Sequence, residues 1–248
     1  MGLGGSWEDG SYGPEQLDVA EAAIAAAVDV GITRFDHADI YRRGSAEAVF
    51  GEVLRRSPEL RERITIQGKV GIRLPEAGQG QHYDLSGEAI RTRVRRSLER
   101  LGTDRLDVLL LHRPDPLMDP EEVAAAVGDL QAEGVVGEIG VSNMSAAQIE
   151  ALQDALGSPI VANQLEMSLA RHGFVDSGVL VKIYSQLALI VGSFGSGILL
   201  FGCALVLADI RITQGRLHDA MRTYERTLQL ASEHSTTVLR GTADMHVG

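Results

Sequence analysis

Three short apolar runs each end in an ionisable side chain. Ile32-Thr33-Arg34-Phe35 leads into Asp36, with Tyr41 five residues on. Ile64-Thr65-Ile66-Gln67-Gly68 leads into Lys69, and Leu106-Asp107-Val108-Leu109-Leu110-Leu111 leads into His112. Runs of this length and composition read as strands buried in a parallel sheet. A strand that ends in an ionisable residue places it at the carboxyl edge of the sheet, where parallel α/β folds build their active sites. A phenol, an ammonium, a carboxylate and an imidazole converging on one edge can deliver a proton to a carbonyl oxygen. The lysine is telling in itself. Of 23 basic residues only Lys69 and Lys182 are lysines. A strand end that keeps lysine in so arginine-rich a chain points to a need for a compact ammonium of tunable pKa, which guanidinium does not offer.

The elements that must hold these residues alternate from residue 15 to about 166. Glu15–Val30 reads as an alanine-rich helix with Pro14 near its start. Then come a strand over 32–36, a helix over 45–56 with Ser45 as N-cap, a strand over 64–68 and a Gly/Pro/Gln loop over 71–83. A helix over 86–101, a strand over 106–111 and a helix over 120–132 follow. The pattern closes with a strand over 135–141, a helix over 145–156 and a strand over 160–165. Met1–Gly5 resembles the end of one further strand. Strict alternation with right-handed crossovers implies a parallel sheet, either closed or doubly wound.

A length of 248 residues suits one (β/α)8 barrel or two smaller units. Residues 182–248 hold five acids and six bases, a net +1, so residues 1–181 carry −12 and the whole chain −11. An acidic front argues against general nucleic-acid binding. The lone Cys203 fits a reduced, cytoplasmic setting. The glycine-rich Met1–Gly13 lacks the apolar core of a signal peptide. His37, Asp39 and His82 read as loop polars, because no cluster has the spacing of a zinc or iron site.

Residues 1–181 resemble the aldo-keto reductases. Gly31-Ile32-Thr33-Arg34-Phe35-Asp36-His37-Ala38-Asp39-Ile40-Tyr41 is similar to that family's first signature, and Leu109-Leu110-Leu111-His112-Arg113-Pro114 to its histidine strand. Gly140-Val141-Ser142-Asn143 and Asn163-Gln164 resemble its two grips on the nicotinamide amide. The resemblance implies an NADPH-dependent reduction of a small-molecule carbonyl, an aldehyde or ketone. Tyr41 would be the proton donor and Lys69 would lower its pKa. Asp36 would hold Lys69, and His112 would orient the carbonyl. Ser142, Asn143 and Gln164 would bind the carboxamide, with Gly2 and Leu3 lining the cofactor. The implied fold is α/β: a partial (β/α)8 barrel of about six strands, followed by an α-helical C-terminal segment.

The sequence departs from that family toward its end. A seventh strand and the basic loop and helix that hold the cofactor's phosphate are not recognisable, so the chain reads as a truncated reductase in which cofactor affinity, and with it turnover, should fall. Residues 183–208 carry no charge and form an apolar junction, read more readily as a buried hairpin than as a membrane span. The tail over 209–248 reads as helical. Leu207, Gly215, Ala220, Tyr224 and Leu228 make 204–230 resemble one tetratricopeptide-type repeat, of the kind found in the repeat-rich arm of large bacterial transcriptional regulators. The expected organisation is therefore a reductase-like 1–181, a junction 182–208 and a repeat-like tail 209–248, as in a fusion. In the alternative reading the partial barrel is a non-catalytic scaffold, and 204–230 docks a protein partner.

Overall fold

The alternating pattern folds as an alternating structure. The computed structural model describes residues 12–76 and 78–166. The chain divides into two compact units, Met1–Gln164 and Leu165–Gly248, and the described residues other than Leu165 and Glu166 belong to the first. Among the described residues α1 (Pro14–Asp29) precedes the first strand, and four helices connect the strands: α2 (Ser45–Arg56), α3 (Gly87–Leu101), α4 (Pro120–Ala132) and α5 (Ala146–Leu156). Their ends follow local chemistry. The Ser86 hydroxyl accepts from the Ala89 N–H at the start of α3, and the Asp119 carboxylate accepts from the Glu121 N–H ahead of Pro120 in α4. Ser145 and Gln148 form a capping box on α5.

The main sheet contains β1 (Arg34–Asp36), β2 (Thr65–Val70), β5 (Leu106–Leu111), β6 (Val136–Ser142) and β7 (Asn163–Gln164). They lie in the order β1-β2-β5-β6-β7, and every neighbouring pair is parallel. The order follows the chain without reversal, so right-handed crossovers place every helix on one face. A doubly wound sheet would reverse order at a switch point. Ile66, Leu109, Leu111, Ile139 and Val141 point to the helical side and form the core with α2, α3, α4 and α5.

The sheet is also curled. Gln164 on β7 donates from Nε2 to Asp36 Oδ2 on β1 at 3.4 Å. Five flat strands would hold those two outer strands roughly 19 Å apart at the usual strand spacing. The sheet must therefore bend into a half-barrel whose outermost strands reach each other across its concave face. This is the partial barrel expected from the sequence, with five main-sheet strands among the described residues.

Three local expectations need correction. Lys69 lies inside β2 rather than beyond it, because Lys69 and Val70 keep pairing with Leu110 and Leu111. The 71–83 loop is not structureless: β3 (Ile72–Arg73) and β4 (His82–Tyr83) pair antiparallel as a small ribbon, pinned by the Arg73–Asp84 ion pair at 2.7 Å. The last strand shrinks to Asn163–Gln164, although the Val161 N–H and the Ala162 carbonyl already bond to β6. The Met1–Gly5 strand fragment, the 182–208 junction, the 209–248 tail and the 204–230 repeat lie outside the described residues. Among the described residues no helix is long and apolar enough to cross a membrane.

Candidate active site

Side chains alternate between the faces of a strand, so registry decides what meets on the concave side. Asp36 lies opposite Gln67, Lys69 opposite Leu110, and Ser142 opposite Gln164. His112 lies two residues beyond Leu110. Asp36, Lys69, His112, Ser142 and Gln164 thus fall on one face, at the carboxyl ends of five adjacent strands.

Lys69 is 1% exposed and its ammonium forms an ion pair with Asp36 Oδ2. Asp36 Oδ1 accepts from Gln67 Nε2 at 2.6 Å. Burial pulls the Asp36 carboxyl upward, yet Lys69, Gln67 and Gln164 more than offset it and hold the group below its ordinary value. Burial lowers the Lys69 ammonium, with the Asp36 carboxylate opposing. Tyr41 opens a tight turn, Tyr41–Gly44, that hands the chain to α2. In that turn Arg42 and Arg43 both adopt left-handed backbone, at φ 50° and 55°, a conformation that is costly for residues other than glycine. The turn brings the Tyr41 ring edge-to-face against His112, with centroids 5.9 Å apart, and the Lys69 Nζ lies 5.0 Å from the Tyr41 ring centre. The four residues are thereby brought together.

Their electrostatics differ from the expectation in one respect. Lys69 does not lower the Tyr41 phenol. Burial first and the Asp36 carboxylate second push it up to about 12, with Arg113 opposing. The ammonium's charge is committed to Asp36, so the phenol meets an ion pair rather than a lone cation. The phenol is consequently protonated at neutral pH. Burial, then Lys69 and Arg113, hold the His112 imidazole down to about 4 against the pull of Asp36, so it is neutral there. Its Nδ1 is buried and has no hydrogen-bond partner among the described residues.

Beside this group lies a cluster of hydroxyl and amide groups. Ser142 Oγ donates to the Gln164 carbonyl and accepts from Asn143 Nδ2, each at 2.9 Å. Asn143 takes a left-handed backbone, φ 56°, which asparagine tolerates better than most residues. Asn163 Nδ2 donates to the Met144 carbonyl at 2.9 Å. Gln164 joins this cluster to Asp36. Gly2 and Leu3 lie outside the described residues.

Sequence reasoning missed several participants. Gln67 was legible: it is a polar residue two positions before Lys69, hence on the same strand face. Asp39, read as a loop polar, is buried and paired with Arg93, while the fully buried Glu47 pairs with Arg100 at 3.1 Å. Arg100 also donates to the Asp39 carbonyl at 3.1 Å. Those partners are more than fifty residues apart, so no local spacing could signal them.

Comparison with known proteins gives the constellation its context. Residues 1–183 match the Aldo/keto reductase family. A 6-dehydroglucose reductase of Agrobacterium fabrum is 41% identical over 186 residues, covering 73% of this chain and 63% of its own length. The fold is similar to that of a glycerol dehydrogenase of Gluconobacter oxydans: TM-score 0.63, 26% identity, 74% of this chain and 54% of that one. It is also similar to an aldo-keto reductase of Bacillus halodurans in its holo form: TM-score 0.54, 29% identity, 62% of this chain and 50% of that one. The chain thus spans roughly half to two thirds of the length of these relatives. A family match over most of the sequence coincides with a curled parallel sheet and a shared polar rim: the chain belongs to the aldo/keto reductase family.

Proposed function

We propose that this chain carries the reacting end of an NADPH-dependent carbonyl reductase, with Tyr41 as the proton donor to an aldehyde or ketone oxygen. The observation that carries the reading is the meeting of a protonated phenol, a buried ammonium–carboxylate pair and a neutral imidazole on one rim. The nicotinamide, when bound, supplies hydride to the carbonyl carbon. Tyr41 gives its proton to the carbonyl oxygen as negative charge develops there, and becomes a phenolate. That phenolate forms beside the Lys69–Asp36 pair, with the ammonium 5.0 Å from the ring centre. Asp36 and Gln67 fix where the ammonium sits, and His112 directs the substrate oxygen toward Tyr41.

The cofactor's carboxamide fits the residues beside this group. It offers one carbonyl acceptor and an amide donor pair. Ser142, Asn143 and Gln164 present hydroxyl and amide groups of matching type within one hydrogen-bonded cluster. These three would hold it, and their bonds to one another would keep them oriented. The relatives' names, a dehydroglucose reductase and a glycerol dehydrogenase, favour a polyhydroxylated carbonyl compound as substrate.

The test compares NADPH consumption by the full chain and by Tyr41→Phe across a panel of aldehydes and ketones. Loss of a general acid should slow turnover on the order of a hundredfold or more. Equal rates in both proteins would refute the role of Tyr41. NADPH titration followed by thermal shift, on the chain and on Asn143→Ala, reads cofactor binding apart from turnover.

A further inference from the structure

A polar cleft is lined by the Asp39–Arg43 segment, by Leu74 and Glu76, and by α3. Its cavity measures about 120 Å³, and its lining includes Asp39, Arg43, Glu76, Arg93, Arg96 and Arg100. That is below the roughly 300–1,000 Å³ of drug-sized ligand sites, so the cleft suits a small ion or molecule. Four guanidiniums in one cleft stand out in a chain whose net charge is −11.

The cations are gathered by two local devices. Arg93, Arg96 and Arg100 follow i, i+3, i+7 spacing on α3, which stacks them along one helix face. Arg43 comes from the left-handed turn opposite. Like charges stacked on a helix repel, so the stripe needs counter-charge. Two carboxylates supply part of it: Asp39 pairs with Arg93, and Glu47 with Arg100. These pairs also immobilise Arg93 and Arg100, which removes much of the entropy cost of using them as a binding surface. Arg96 has no ion-pair or hydrogen-bond partner among the described residues. Guanidinium forks match the planar oxygens of carboxylate and phosphate, and a pre-organised group of them favours the more highly charged anion.

We infer that this cleft binds a phosphate dianion, free or as a small monoester, with Arg96 as its direct ligand and Arg43, Arg93 and Arg100 as its cationic lining. Glu76, on the ribbon side, opposes the anion and sets an upper bound on its affinity. The site is independent of whether the chain reduces carbonyls. The occupied cleft would brace the backbone of Asp39, whose N–H donates to the Lys69 carbonyl and whose own carbonyl accepts from Arg100.

Titrating the full chain with inorganic phosphate and with glycerol 3-phosphate, against chloride at equal ionic strength, tests this by calorimetry and thermal shift. Both phosphates should stabilise the chain beyond chloride. Arg96→Gln should weaken binding on the order of tenfold through loss of a charge-assisted contact. Glu76→Gln should tighten it. Arg95→Gln, which removes an exposed arginine of α3 that pairs with Glu133 at the end of α4, should leave it unchanged. Tighter binding of the ester than of free phosphate would mark a phosphorylated metabolite as the occupant, and equal binding the free anion. Stabilisation no greater than by chloride overturns the inference. So does an equal loss in Arg95→Gln and Arg96→Gln, or binding that Glu76→Gln leaves unchanged or weakens.

Discussion

Replacing Asp36 with asparagine should expose how much the buried ion pair contributes. Lys69 would keep its ammonium in a site that is 1% exposed, with its carboxylate partner gone. Removing one side of a fully buried pair costs about 3–5 kcal/mol. The Asp36 side chain is 35% exposed, so water screens part of the pair, and we expect about 2–3 kcal/mol at pH 7. With a slope of roughly 2 kcal/mol per M urea, the unfolding midpoint should fall by about 1–1.5 M. The pH dependence carries a sharper signature. In the parent chain the Asp36 carboxyl lies below its ordinary value. Its contribution is therefore present above the unfolded pKa and is lost as pH falls through the folded one. In Asp36→Asn, Lys69 is depressed further, so the variant recovers stability as pH rises and the buried ammonium gives up its proton. The gap between the two proteins should be widest near neutrality and narrow toward both acid and alkali. Urea titrations followed by far-ultraviolet circular dichroism from pH 4 to pH 10 would measure it. A gap that stays flat across that range, or is absent at pH 7, would refute the coupling of Asp36 to Lys69.

Two further predictions concern the same unit. His37 and His112 are both held down to about 4 from 6.5, chiefly by burial. Between those values the unfolded chain takes up protons that the fold refuses, so stability should decline from pH 6.5 toward pH 4. Near pH 5 the slope should approach about 2.7 kcal/mol per pH unit for the two groups together. His37→Gln should roughly halve that slope, and an unchanged slope would clear His37 of the effect. The helix pair α2–α3 supplies the other test. A Cβ at Gly51 would collide with the backbone of Arg100 and Leu101, whereas one at Gly128 on α4 meets nothing within 4 Å. Thermal unfolding should show Gly51→Ala destabilised by about 1–3 kcal/mol and Gly128→Ala stabilised by up to about 1 kcal/mol. Equal effects would mean that α2 and α3 do not approach as closely as described.

Much of the site was legible because it is written in local pattern. Each apolar run announces a strand, and the polar residue at its end announces the rim. Alternation along β2 even ties Gln67 to Lys69. What escaped reading depends on distance in the chain. The ribbon β3–β4 hides in a segment whose three glycines and Pro75 read only as loop, since two-residue strands carry no periodicity. Asp39 looks like any loop acid until Arg93 arrives from α3. The direction of the Tyr41 shift was misread for a related reason. Sequence gives the ammonium a place beside the phenol, but only the fold reveals that Asp36 claims its charge first.

The bond from Gln164 back to Asp36 spans 128 positions of sequence, and it has a temporal consequence. A ribosome delivers Asp36, Tyr41, Lys69 and His112 long before Gln164. Until then the nascent half-barrel lacks the side chain that bridges its two outer strands. The rim is therefore completed from the far end, and a stalled product ending short of residue 164 would display the catalytic-type residues without the amide that closes the circle around them.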